Sequence, residues 1–196
     1  MRNKVGTIFT ILGLLLIVAA LSITIYNIYD ENRAEEAANE LLDHWPDIPK
    51  DTPDIPDYIL DPTMDMPTKM VNGVECIGQL EIPVLNLKLP IISEWSYPKL
   101  RIAPCRFSGS AYLNNLVIAA HNYRRQFASL KELRSRDQVF FIDMAGNTFR
   151  YQVVDIEILN PTDVEKMVSG NWDLTLFTCT IGGQTRITIR CNRVDE

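Results

Sequence analysis

Between Val5 and Tyr29 the chain carries no charged residue, and Ile8 to Ile25 reads IFTILGLLLIVAALSITI. An apolar run of about 20 residues, wound as an α-helix, spans the hydrocarbon core of a bilayer. Lipid offers the backbone no hydrogen-bond partner, so a helix is the one solution open to such a single segment. A secretory signal peptide has a shorter apolar region ending at a small-residue cleavage site. Ala19-Ala20-Leu21-Ser22 imitates that site but lies inside the run, so the reading is an uncleaved anchor, with a cleaved signal as the alternative. Arg2 and Lys4 precede the span, whereas Asp30, Glu31, Glu35 and Glu36 come after it with a single Arg33. Lys and Arg accumulate on the cytoplasmic side. Residues 1–4 are therefore expected in the cytoplasm, 5–29 in the membrane as a single-pass anchor, and the rest outside the cell.

Beyond the anchor the chain changes character twice. Asp30 to Trp45 (DENRAEEAANELLDHW) is rich in strong helix formers and should continue as a stalk helix. Pro46, Pro49, Pro53, Pro56, Pro62 and Pro67 then fall within a short acidic stretch. Proline at this density excludes helix interior and central strand, which predicts a semi-rigid spacer. Residues 30–70 are thus expected to form a stalk and linker, with the proline spacer setting the height of the remaining domain above the bilayer. The net charge of −6 excludes a nucleic-acid partner of the usual kind, which needs a basic patch.

Residues 71–196 have the length of one domain and read as short strands divided by turns. Strands are expected over 77–82, 87–92, 116–120, 138–144, 148–160, 174–178 and 186–191, with one helically spaced segment at 126–133. Ala145-Gly146-Asn147 has hairpin-turn chemistry. The fold class predicted is all-β, a closed or nearly closed barrel of about eight strands with short helices.

Three residue types in this domain carry chemistry. Cys179 stands where a strand gives way to Gly182-Gly183, and Arg186 opens the next strand. A cysteine at a strand end is usually a small buried hydrophobe. A guanidinium beside it would favour the reactive thiolate, and arginine is costly to bury without a partner. On that strand Arg186, Thr188 and Arg190 share one face, and Ile187, Ile189 and Cys191 the other. Cys191 therefore belongs to the core, while Arg190 and Arg193 read as ordinary solvated strand residues. His121, at the end of the apolar Leu116–Ala120, is the domain's one histidine, since His44 lies in the stalk. It is the side chain that titrates near neutrality. Nucleophile, proton carrier and fixed cation together suit thiolate acyl transfer.

Four cysteines in an exported domain would allow two disulfides, but Cys76, Cys105, Cys179 and Cys191 match no dense framework. Cys179 is expected free and the others mostly buried thiols. No CxxC or HxxxH pair or EF-hand spacing occurs, so neither a metal nor a cofactor is expected.

These residues together resemble the sortases, the membrane-anchored cysteine transpeptidases of Gram-positive bacteria. The signature T-L-x-T-C is similar to Thr175–Cys179, the arginine of the next strand to Arg186, and a V-I-A-G-H strand end to Val117–His121, with Ala120 in place of glycine. Ile77–Pro83 resembles the first barrel strand, and Arg106–Ser110 the segment before the histidine strand. No Asp-Pro-Trp plug stands upstream of the barrel; Asp61-Pro62-Thr63 is a faint echo, and the subclass stays open. The resemblance implies that Cys179 attacks the threonine carbonyl of an LPXTG-like sorting signal on a secreted protein. His121 would act as acid and base, and Arg186 would hold the oxyanion. It also implies an amine acceptor in a cell-wall precursor or a pilin-like protein. A hydrolytic cysteine peptidase on the same site, or a non-catalytic barrel on a membrane stalk, are the alternative readings.

Overall fold

The computed structural model describes residues 2–48 and 55–194; Pro49 and Pro53 of the proline-rich stretch lie outside them. The chain begins as one long helix, α1 (Arg2–Asp43). Its most apolar window has mean hydropathy 2.8 and none of it is buried, which makes it a candidate membrane anchor. After a single helical turn, α2 (Asp57–Leu60), come β1 (Lys69–Val71), β2 (Val74–Ile82), β3 (Leu87–Ile92), α3 (Tyr97–Leu100), β4 (Cys105–Ser108) and β5 (Leu116–Ala120). The second half holds β6 (Gln138–Asp143), β7 (Thr148–Leu159), α4 (Val164–Val168), β8 (Leu174–Cys179) and β9 (Arg186–Arg193).

The strands run in the order β1-β2-β3-β4-β5-β8-β9-β7-β6, and β6 pairs back onto β2. Strands β2 to β9 thus form a closed barrel of eight strands, as expected, with β1 added on the end of β2. Closure leaves little edge to template aggregation. At the β6–β7 hairpin the Asp143 carboxylate accepts bonds from the backbone N–H of Ala145 and Asn147 and from the Tyr112 hydroxyl. Gly146 takes the positive φ of +93° there, which a side chain would resist.

Strand alternation sorts the apolar residues into two layers. Leu116, Ile118, Leu174, Leu176, Ile189 and Cys191 fill the barrel interior with Leu80, Phe141, Phe149 and Tyr151. Val117, Ala119 and Phe177 point outward, yet they too are buried, under Leu100, Met167, and Ala38 and Leu41 of α1. Strands β5 and β8 are therefore apolar on both faces, as strands covered on two sides must be.

The outer layer changes the role of the stalk. Instead of holding the barrel away from the anchor, α1 packs along it: Ala34, Ala38 and Leu41 are buried. The Tyr123 hydroxyl donates to Asp30 (2.5 Å), the Arg124 N–H donates to Glu31, and Arg125 pairs with Glu35 (3.2 Å). The barrel's height above the end of the apolar run is set by these contacts, and the expectation that the proline spacer sets it is corrected. Short helix formers with one small apolar stripe (Ala34, Ala38, Leu41) allow this close approach.

Candidate active site

The three chemistry-bearing residues, scattered in sequence, meet because of two strand pairings. Strand β5 runs parallel to β8, with Ala120 opposite Thr178, so His121 and Cys179 leave adjacent strands side by side. Strand β9 returns antiparallel, with Arg186 directly opposite Cys179. Directly opposed residues project to the same face about 5 Å apart. All three line one groove of about 310 Å³ on the outside of the barrel, with Trp95, Tyr97, Phe107, Phe177 and Met167 among its walls.

The two threonines of the signature have structural tasks. The Thr178 hydroxyl points inward and donates to the Ala120 carbonyl (2.9 Å), pinning the strand end that carries His121 to the strand end that carries Cys179. Thr175 lies on the outer face opposite Arg190 and accepts a bond from its guanidinium (3.0 Å).

Arg190 is where the sequence reading fails. It is not solvated but 2% exposed, because α4 and its flanking loops cover that face. Its guanidinium bonds Glu157 (2.8 Å), the carbonyls of Met167 (3.1 Å) and Lys166 (2.6 Å), and Thr175. It thereby fastens the β7–β8 connection, which supplies Pro161, Val164 and Met167 to the groove. Arg193 is likewise engaged, 4.7 Å above the Phe149 ring and bonded to the Tyr58 hydroxyl.

Around Cys179 the turn is tightly closed. Thr180 N–H donates to the Thr185 carbonyl (3.0 Å), and the two threonine hydroxyls bond each other (2.8 Å). The Thr180 backbone N–H is therefore committed within the turn. Gly182 and Gly183 take φ of +84° and +73°, the left-handed geometry glycine tolerates. Arg186 Nη1 donates to the carbonyls of Gly183 and Thr185 (both 3.0 Å), which holds the guanidinium at the mouth of the groove.

His121 is half-buried; its backbone N–H donates to Gln126 Oε1 (3.2 Å) and its ring lies against Tyr123, centroids 4.8 Å apart. Burial pushes its pKa below the ordinary 6.5, Asp30 pulls the other way, and Arg101 adds to the lowering. All four cysteines are free, and Cys76, Cys105 and Cys191 are buried. Burial pushes the thiols of Cys76 and Cys105 up to about 12, which leaves them unreactive. Cys179 is the partly exposed one. Among the described residues no group of three or more His, Cys, Asp or Glu side chains is assembled to hold a metal.

The aromatic groove walls were not read from sequence. Phe177 shares the face of Cys179 by simple alternation, a signal that was present. Trp95, in a loop, and Tyr97, which opens the single turn of α3, carried none.

The sequence pattern of the sortase domain matches residues 80–194. No curated protein matches the chain. Solved structures do: sortase C1 from Streptococcus suis shares 27% identity over 62% of this chain and 74% of that one, with a TM-score of 0.54. A pilus-related sortase C of Group B Streptococcus shares 26% over 69% and 78%, TM-score 0.55. Sortase A from Corynebacterium diphtheriae, 21% identical over 86% and 84% with a TM-score of 0.57, shows the fold alone. The closed barrel and the domain match agree: the chain belongs to the sortase family of cysteine transpeptidases.

Proposed function

We propose that Cys179 is the nucleophile of a transpeptidase acting on an LPXTG-like sorting signal near the C-terminus of secreted proteins. The observation that carries the reading is the convergence of His121, Cys179 and Arg186 on one apolar-walled groove through the β5–β8 and β8–β9 pairings.

The thiolate attacks the threonine carbonyl carbon, and negative charge gathers on the oxygen. Arg186, fixed in charge, stabilises it. The imidazolium of His121 gives its proton to the departing glycine nitrogen as the C–N bond breaks. A thioester on Cys179 remains. An incoming amine of a cell-wall precursor or surface protein then attacks it, and neutral His121 takes up the proton as the thiolate leaves. The aromatic and aliphatic groove walls suit a leucine–proline pair. In the matching topology, residues 1–4 are cytoplasmic, 5–29 cross the membrane, 30–70 are stalk and linker, and 71–196 form the extracellular catalytic barrel.

The test is product analysis with the full-length enzyme in nanodiscs, a panel of LPXTG-like peptides and an amine. Ligated peptide, absent with Cys179→Ala, is the expected result. Cleavage with no ligation by any amine would instead make the enzyme a hydrolytic peptidase.

A further inference from the structure

One end of the barrel is turned toward the apolar run. Helix α1 leaves that run at Tyr29, and its next residue, Asp30, holds Tyr123 (2.5 Å). Farther along α1, Ala38 and Leu41 are buried with Val117, Ala119, Cys76 and Ile92. Strand β5 therefore runs toward the membrane as α1 runs away from it. The pairings carry that direction round the barrel: β8 is parallel to β5, while β9 is antiparallel to β8, β7 to β9, β6 to β7, and β2 to β6. So β2, β5, β7 and β8 end on the membrane side, and β6 and β9 start there. Three pieces of chain cap that end: the single turn Pro83–Leu85 after β2, the connection 122–137 between β5 and β6, and the turn 180–185 between β8 and β9. Asp30, Glu31 and Glu35, which hold the 122–137 connection, lie within about 9 Å of Tyr29 along the helix, against a headgroup layer about 5–7 Å thick.

What this end displays is unlike the rest of the chain. Against a total charge of −6, residues 122–137 hold Arg124, Arg125, Lys131, Arg134 and Arg136 and only Glu132 and Asp137. Arg124 and Arg125 answer Glu31 and Glu35 of α1. Lys131, Arg134 and Arg136 are exposed, and no carboxylate lies within ion-pair distance of them among the described residues. Their backbone is held all the same: the Arg134 N–H donates to the Asp137 carboxylate and the Arg136 N–H to the Val153 carbonyl (both 2.8 Å). Lys131 and Arg134 share a cleft of about 570 Å³ with Val84, itself exposed. Ile181, at the tip of the closed 180–185 turn, is 87% exposed, more than any large apolar side chain of α1 among the described residues. Nothing stands within 4 Å of a Cβ placed on Gly182 or Gly183 beside it, so the turn projects.

We propose that this end of the barrel docks on the bilayer that holds its own anchor, with Lys131, Arg134 and Arg136 against anionic phospholipid headgroups and Ile181 and Val84 in the interface. The proposal rests on the reading of residues 5–29 as membrane-crossing, and it is independent of the transfer reaction. Apolar tips beside cations are the pattern of a surface that lies on lipid. Burial of the tips supplies an attraction that salt does not screen. The cations add one that needs anionic lipid and falls off within a Debye length. Continuity with α1 identifies the occupant, because the helix that crosses the membrane also clamps the basic connection at headgroup depth. Docking holds the mouth of the Cys179 groove, at the same end, on the lipid surface.

The experiment uses the full-length chain in nanodiscs of phosphatidylcholine, with or without phosphatidylglycerol, that carry a nitroxide on some headgroups. Cys179→Ala leaves only buried thiols, so a bimane can be placed by Ser135→Cys, Gln184→Cys, Leu60→Cys or Tyr26→Cys, one at a time. Time-resolved fluorescence separates docked, quenched label from free label. Labels at Ser135 and Gln184 should be quenched, more so with phosphatidylglycerol, and the label at Leu60, on the far side of the barrel, should not. Each of Lys131→Gln, Arg134→Gln and Arg136→Gln should lower the docked-to-free ratio in phosphatidylglycerol by about fivefold, the worth of one cation at an anionic surface. High salt should do the same, whereas Ile181→Ser should lower the ratio in both lipids alike. Quenching at Tyr26 with none at Ser135 and Gln184 would overturn the proposal and leave the anchor standing. No quenching at Tyr26 would overturn the anchor and the docking together. Quenching at Ser135 indifferent to lipid charge and to the three glutamine variants would refute the anionic surface. A lifetime that follows the number of enzyme molecules per disc, and not the lipid, would assign this face to a second copy and overturn the proposal.

Discussion

Replacing Arg190 by methionine keeps the length of the side chain and removes its charge and donors. The structure sets the cost. Arg190 is 2% exposed, and its loss strands the Thr175 hydroxyl, the carbonyls of Met167 and Lys166, and the Glu157 carboxylate. Breaking a buried pair by removing one partner costs about 3–5 kcal/mol. Glu157 is 36% exposed and turns to water, which cuts that part, and methionine fills most of the volume. The orphaned buried acceptors remain at about 1–3 kcal/mol each before relaxation. A net loss of about 3 kcal/mol results, or a Tm lower by about 10 °C for a domain of this size. Because the same bonds hold the β7–β8 connection against the groove, kcat/KM for the donor peptide should fall by about tenfold or more. Thermal unfolding in detergent and donor kinetics read both. Glu157→Gln, which keeps the acceptor and loses a partly screened charge, should cost about 1 kcal/mol or less. A Tm for Arg190→Met within about 2 °C of the parent would refute the reasoning, since the orphaned buried acceptors would then cost well under about 1 kcal/mol.

In a Cys179→Ala background, where no thiolate couples to it, His121 should titrate below the ordinary 6.5 by NMR, and Asp30→Asn should lower it further, because that carboxylate favours the imidazolium. The depressed value also fixes how stability moves with pH. A base whose folded pKa is depressed contributes stability present above 6.5, and this is lost as pH falls through the folded value. Unfolding midpoints between neutral pH and pH 5 should therefore drop more in the parent than in His121→Ala. Thr178→Val removes the bond to the Ala120 carbonyl, costing about 1–2 kcal/mol and lowering kcat more than it raises donor KM. Gly109 has φ +74° and an added Cβ would stand 2.0 Å from the Asn115 carbonyl oxygen; Gly109→Ala should cost about 3 kcal/mol in denaturant unfolding.

The strands that face an apolar interior on a regular alternation were legible: β3 and β5 fall on the predicted residues, and β2, β6, β7, β8 and β9 differ by a few at their ends. Short elements without periodicity were not. β1 and β4 have three and four residues, and α3 is a single turn started by Pro98 and capped by Ser96. The segment at 126–133, helical in spacing, forms only a 3-10 turn over Ala128–Glu132. The meeting of His121, Cys179 and Arg186 in one groove was legible because residue type and strand position carried it. Its surroundings were not, because the outer layer is built by α1, α3 and α4 from distant parts of the chain. That layer turns Arg190 from a surface cation into a buried clamp and brings Asp30 to Tyr123 and, through that ring, to His121. Alternation reports which face a residue is on; it is silent about what covers that face.

The central claim is an acyl-thioester on Cys179. Full-length enzyme mixed with a reactive LPXTG-like peptide and no amine, quenched in acid and weighed intact, should gain the mass of the peptide up to threonine. That adduct should map to Cys179, vanish on treatment with hydroxylamine and be absent from Cys179→Ala. Product formed with no adduct at Cys179, or an adduct on another cysteine with Cys179→Ala still active, would contradict the account.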